Sequence, residues 1–188
     1  MKGRDLLSLL EPLLKVFIFI TRLFPQFILR IVYDLSRFIP WRLGIFIRLI
    51  LIRTLSKSGN NIYIATNVTI KNPEYMVLGD NVSIHENCFI DANGGLEIGN
   101  NVSIAHNSSI VCFEHSWADI TTPIKYNPLV LKKITIGDDV WIGCGVRILA
   151  GASLSNRTVV AAGSIVNKAF EGNVLIAGVP SKVKKALN

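Results

Sequence analysis

Cysteine is scarce in this sequence: it occurs three times, at Cys88, Cys112 and Cys144. No two of these share a CxxC or zinc-knuckle spacing, which argues against a disulfide framework and fits a reducing cytoplasm. Acidic residues are scarce in one region. Residues 1–57 hold three Asp or Glu against ten Lys or Arg, whereas residues 58–188 hold ten of each, so the formal charge of +7 lies wholly in the N-terminal third. A neutral main body has no basic stripe of its own, which excludes nucleic acid as the expected partner. Long apolar runs are also missing. Between Arg4 and Arg37 the longest uncharged run is seven residues, Leu23 to Leu29, where a membrane span needs about 20 apolar residues. Charges scattered through MKGRDLLSLLEPLLK leave no room for a cleavable signal. Neither a P-loop nor a GxGxxG fingerprint is present to hold phosphates.

What the N-terminal third does have is amphipathicity. Arg4, Glu11, Lys15, Arg22, Gln26 and Arg37 follow one another at intervals of 7, 4, 7, 4 and 11. At roughly 100° per residue they share a helix sector about 80° wide, opposite Leu, Phe, Ile and Val. Pro25 should kink or split this helix. Pro40 ends it, and WRLGIFIRLILIRTLSKSG predicts a second helix closed by Gly59. Residues 1–57 are therefore expected to lie in a membrane interface on the cytoplasmic side, cations toward headgroups, without crossing. The alternative is packing on the body or on a partner. As an appendage, the segment is expected to be removable, leaving a soluble, active chain from Ser58.

From residue 58 the pattern changes. Aliphatic residues recur at Ile64, Ile70, Leu78, Ile84, Ile90, Ile98, Ile104 and Ile110, and resume at Ile136, Ile142, Ile148, Leu154, Val160, Val166 and Ile176. Most steps are six residues. Two positions earlier stands a second, smaller inward residue, as at Val68, Val82, Cys88, Val102, Ser108, Val146 and Ser164. Alternation within each hexad predicts a short strand, and Gly or Asn at its ends predicts a turn. Six residues cannot bury a face alone, so they must stack. The expected fold is a parallel β-helix over 58–188, with three hexads per coil and about five coils. Residues 111–133, VCFEHSWADITTPIKYNPLVLKK, break the rhythm and predict an extruded loop. His115 stands at its mouth, where a neutral imidazole could take a proton from an alcohol. His85 and His106 lie on one face, but the gaps of 21 and 9 residues between the three histidines do not suit a shared metal. The eight-residue step in FIDANGGLEIG offers Asp91 and Asn93 as partners for hydroxyls, although Asn-Gly-Gly is also a turn signal. Trp141, between inward Val140 and Ile142, points outward and needs a contact.

The stretch IGDDVWIGCGVRILAGASL, followed by VVAAGSIVNK and AGVPSKVKK, resembles the hexapeptide-repeat acyltransferases. Together with EHSW and PIKYN in the loop, it is most similar to the sugar O-acetyltransferases of polysaccharide and lipopolysaccharide synthesis, and more distantly to the galactoside and maltose acetyltransferases. The resemblance covers residues 60–188. It implies an all-β, left-handed parallel β-helix, a homotrimer with active sites between subunits, and direct transfer from acetyl-CoA to a sugar hydroxyl without a metal. It gives His115 the role of general base and puts Asn93 at the acceptor. It places Trp141 beside the acceptor and the donor arm. Cys144 falls at the thioester carbonyl, and Ala162 at a backbone contact with the pantetheine. Lys168, Lys182 and Lys185 match positions that reach coenzyme A phosphates. His85 stands where the galactoside enzymes tend to have Asn facing the acceptor. A lipid-linked acceptor would account for a membrane-hugging N-terminus. A soluble acceptor, or a non-catalytic scaffold, are the rival readings.

Overall fold

The computed structural model describes residues 11–187. The body is a left-handed parallel β-solenoid of triangular section. Its first face begins at Lys57–Ser58 and continues through Met76–Leu78, Leu96–Ile98, Ile134–Ile136, Ser153–Leu154 and Ala169–Phe170. The second runs from Tyr63–Ile64 through Trp141–Ile142 to Val174–Ala177, and the third from Thr69–Lys71 through Arg147–Ile148 to Ile165–Val166. Register places like on like. On the second face Ile64, Ile84, Ile104, Ile142, Val160 and Ile176 form one column, each at most 1% exposed. All the other aliphatic positions expected to point inward are buried as well. Phe170 fills the place left by the ten-residue step between Val166 and Ile176.

The corners explain the polar residues of the repeat. Asn61, Asn67, Asn81, Asn87, Asn101 and Asn107 all have φ between 54° and 60°, a left-handed conformation that Asn tolerates better than most residues. Their amides form ladders: Asn61 donates to Asn81 at 2.8 Å and Asn81 to Asn101 at 2.9 Å. At the corner between the first and second faces a Cβ on Gly99 would come within 2.8 Å of the Gly137 carbonyl carbon, so the stacked backbones leave room only for glycine. Two buried hydroxyls of the repeat find carbonyls: Ser108 donates to that of Gly143 and Thr158 to that of Ser155.

Three helices precede the solenoid among the described residues: α1 (Glu11–Thr21), α2 (Gln26–Ser36) and α3 (Trp41–Leu55). Pro25 and Pro40 divide them. No described helix is long and apolar enough to cross a membrane. Arg4 of the expected charged stripe lies outside the described residues. One expectation is corrected. The last helix ends at Leu55 rather than running to Gly59, because Lys57–Ser58 already pair with Val77–Leu78 as the first solenoid strand. The segment also packs against the body instead of standing apart from it. α3 buries Leu49, Ile52 and Leu55 in the common core and closes the end of the prism. Its Arg48, fully buried, donates to the carbonyls of Ile64 at 2.9 Å, Ser36 at 2.7 Å and Ile39 at 2.9 Å. Burial pulls that guanidinium below the ordinary arginine range. The Tyr33 hydroxyl donates to Val68 O at 3.1 Å, and burial pushes its pKa up.

Candidate active site

The loop leaves the solenoid at the edge between the third and first faces. Val111 still belongs to a third-face strand and Ile134 opens the next first-face strand. Between them Phe113–His115 and Leu129–Leu131 pair antiparallel, forming a two-stranded stem. Where the stem meets the prism, Lys132 N donates to Cys112 O at 3.0 Å. Gly94 lies directly beneath, and a Cβ there would fall 2.0 Å from that carbonyl. The Cys112 thiol is buried, which pushes its pKa up to about 12. His115 is exposed, opposite Leu129. Glu114, its neighbour in the strand, is ion-paired with Lys132, and strand alternation turns it to the other side of the stem.

Beyond the stem the loop is held by two residues that sequence reasoning did not single out. Asn127 is 5% exposed. Its side-chain amide donates to the carbonyls of Thr122 at 2.9 Å and Asp119 at 3.2 Å, while its oxygen accepts from Asp119 N at 3.2 Å. Asp119 accepts from the Thr121 hydroxyl at 2.6 Å, the Thr122 hydroxyl at 2.8 Å and the Thr121 amide at 2.9 Å. These bonds hold its carboxyl down at about 2. The available signal was DITTP, since an Asp two residues before Thr and shortly before Pro favours an Asx turn.

Asp91 and Asn93 lie on the same edge as the loop, one coil below it. Asp91 is only 7% exposed, and its Oδ1 accepts from the Asn72 side chain at 2.8 Å and the Asn93 amide at 3.2 Å. Lys168 also follows the third face, with Nζ 5.4 Å from the centre of the Phe170 ring.

The remaining candidates gather elsewhere. Trp141 stands on the second face, 56% exposed, in register with Ser103 and Val159. The tail strand Lys182–Ala186 folds back antiparallel on Val174–Ala177. Trp141, Val159, Arg157 and Lys185 thereby line one groove of about 600 Å³. Lys182 begins the same strand, opposite Ala177. Cys144 and Ala162 turn the corner between the second and third faces in successive coils, where Gly163 N donates to Cys144 O at 2.9 Å. His85 occupies the same edge nearer the helices, its ring 5.5 Å from that of Tyr63 and its Nδ1 3.8 Å from Glu86. His106 shares this edge and His115 does not. Among the described residues no group of three His, Cys, Asp or Glu side chains could hold a metal ion.

The structure thus divides the candidates into two sets. His115, Asp91, Asn93 and Lys168 lie along one edge; Cys144, Ala162 and His85 lie along another, with Trp141, Lys182 and Lys185 on the second face beside it.

No family model matches the chain. It is 33% identical over 130 residues to the galactoside O-acetyltransferase of Escherichia coli K12, over 69% of this chain and 53% of that enzyme. It is 32% identical over 133 residues to another protein of that organism, described as a lipopolysaccharide biosynthesis O-acetyl transferase, over 69% of this chain and 60% of the other. The chain spans a little over half the length of these relatives. A hexapeptide-repeat acetyltransferase of Vibrio cholerae, solved with acetyl coenzyme A, matches with a TM-score of 0.76 at 25% identity, covering 85% of this chain and 86% of that one. The coils, their corners and the loop define a hexapeptide-repeat acetyltransferase fold. Within that class the chain is related to the sugar and lipopolysaccharide O-acetyltransferases.

Proposed function

We propose that the chain is an acetyl-CoA-dependent O-acetyltransferase that modifies a sugar in surface polysaccharide or lipopolysaccharide synthesis, acting as a homotrimer. One observation carries this reading: His115 and the groove at Trp141 and Lys185 lie apart on one prism, the first on the loop at the edge between the third and first faces, the second on the second face. A neighbouring copy that receives the loop beside its second face would unite them. Trp117, Ile120, Ile124 and Tyr126, all exposed on the loop, and the outward Trp141 would then be covered.

In the assembled cleft the imidazole of His115 accepts the proton of a sugar hydroxyl while that oxygen attacks the thioester carbonyl carbon. The carbon–sulfur bond breaks, and the departing coenzyme A thiolate takes the proton back. General-base help of this kind is worth about 10²–10⁴ in rate. The corner at Cys144 and Ala162 presents backbone amides to the carbonyl oxygen and the pantetheine arm, since a thiol alone is a weak donor. Lys182 and Lys185, with Lys168 from the other edge, supply point charges for the donor's phosphates. Asp91 and Asn93 line the acceptor side. The relatives named for galactoside and lipopolysaccharide acetyl transfer support a saccharide acceptor, and the Vibrio cholerae complex supports the donor.

The test uses acetyl transfer to a panel of glycosides. His115→Ala should lower kcat by at least about 10²-fold with donor affinity unchanged. Mixing His115→Ala with Trp141→Ala chains should restore activity to about a quarter of the sites, because each mixed trimer can pair an intact loop with an intact groove. A near-normal kcat for His115→Ala refutes the base. An active monomer, or mixing without recovery, refutes the shared site.

A further inference from the structure

The helical cap turns its apolar side outward. Phe19, Leu23, Phe27, Leu35, Phe38 and Trp41 are between 65% and 84% exposed, and they come from all three helices and the turns that join them. Trp41 is the most exposed of them and has a φ of 66°, a left-handed conformation costly for an aromatic residue. Much of the ionic chemistry faces the protein instead. Arg53 pairs with Glu11 at 2.9 Å and Arg30 with Glu74 at 2.7 Å. Arg37 reaches the Thr69 hydroxyl, and Arg48 is buried. This corrects the expectation of a single charged stripe turned to headgroups, since Glu11 and Arg37 of that stripe are bound to the protein. Three cations remain on the outside: Lys15 on α1, Arg22 beside Leu23, and Arg42 between Trp41 and Leu43. Among the described residues no carboxylate forms a salt bridge with them.

We propose that this outer face docks on an anionic bilayer surface, such as a cytoplasmic leaflet, with the cap lying in the headgroup region. The charge selects the occupant. A second copy meeting the first through the same face would bring the two sets of unpaired cations together. An anionic lipid surface receives them while the aromatic and aliphatic side chains enter the acyl boundary. The helices lie in that surface rather than cross it: α1 and α2 have 11 residues each, about 16 Å at 1.5 Å per residue, against a hydrocarbon core of about 30 Å. The proposal does not depend on the enzymatic reading.

Flotation of the full chain with vesicles tests it. At low salt the protein should rise with phosphatidylglycerol–phosphatidylcholine vesicles and rise less with phosphatidylcholine alone. Replacing Lys15, Arg22 and Arg42 by Glu should weaken the partition roughly tenfold or more. Replacing Phe19, Leu23, Phe27 and Trp41 by Ser should abolish it, with the thermal midpoint of each variant reporting that the core is intact. Protein that stays at the bottom, equal binding to both vesicles, or an unchanged serine variant overturns the proposal. So does self-association through this face, seen in light scattering as a mass that the serine variant lowers. Acetyl transfer to a soluble glycoside, assayed without vesicles, reads the enzymatic proposal separately.

Discussion

Ile104 and Phe27 are both large apolar side chains, and the two halves of the molecule treat them in opposite ways. In the solenoid Ile104 is enclosed between Ile84 and Ile142 of the adjacent coils. In the cap Phe27 points to solvent, while Arg48 occupies the interior. A repeated coil makes its own interior, because each inward residue has a near-identical neighbour about 4.8 Å above and below. The end of the stack has no such neighbour. It has open backbone carbonyls, and the Arg48 guanidinium on Ile64 O and the Tyr33 hydroxyl on Val68 O satisfy them as a hydrocarbon cannot. The cap therefore turns Arg48 and Tyr33 inward beside Leu49, Ile52 and Leu55, and leaves a second apolar side outside.

The largest effect should come from removing the cap. A chain beginning at Ser58 exposes Ile62 and Ile64 and frees the Ile64 and Val68 carbonyls that Arg48 and Tyr33 hold. It should aggregate without a cooperative thermal transition, and a soluble, cooperatively folded product would show the two halves to be independent. Arg48→Ala, which removes three charge-assisted hydrogen bonds and leaves the buried Ile64 carbonyl without its side-chain donor, should cost about 3–5 kcal/mol in denaturant titration. Ile104→Ala should cost about 2–5 kcal/mol, whereas Phe27→Ser should stay within about 0.5 kcal/mol. Equal losses for these two would erase the contrast. The smallest effect lies in the loop. The Asp119 carboxyl, held at about 2, lies below its unfolded value of about 3.9. Its contribution to loop order is therefore complete above the unfolded value and is lost as pH falls through the folded one. Hydrogen-exchange protection over residues 116–127, measured against the intrinsic rate at each pH, should hold at pH 5 and fall toward pH 2, and Asp119→Asn should remove that dependence.

The body was legible in the sequence because its periodicity is local: six residues decide which way Ile84 or Val160 points. Phe170 was harder, since an irregular spacing hid its place in the first-face column. The cap was misread for a physical reason. Helical phase shows which charges share a side, but not whether that side meets water or polar partners within the protein. Glu11 and Arg37 were thus assigned outward, and the burial of Arg48 went unforeseen. Histidine at the mouth of the loop was evident, whereas the bond from Glu114 to Lys132 needed the cross-strand register. The division of the candidates into two sets also emerged only in three dimensions, because Lys168 and Lys182 are close in sequence and belong to different faces.

The stem between Cys112 and Lys132 has a consequence for how such a chain can change. The register of the third face passes from Ile110 to Ile148 and that of the first from Ile98 to Ile136, so the coils stack as though the intervening residues were absent. Everything beyond the Cys112–Lys132 bond is a cassette. It can be lengthened, shortened or exchanged while the column of Ile104 and Ile142 and the groove at Trp141 stay in place. A segment exchanged beyond the Phe113–His115 strand, so that His115 is kept, should leave that column and that groove unchanged.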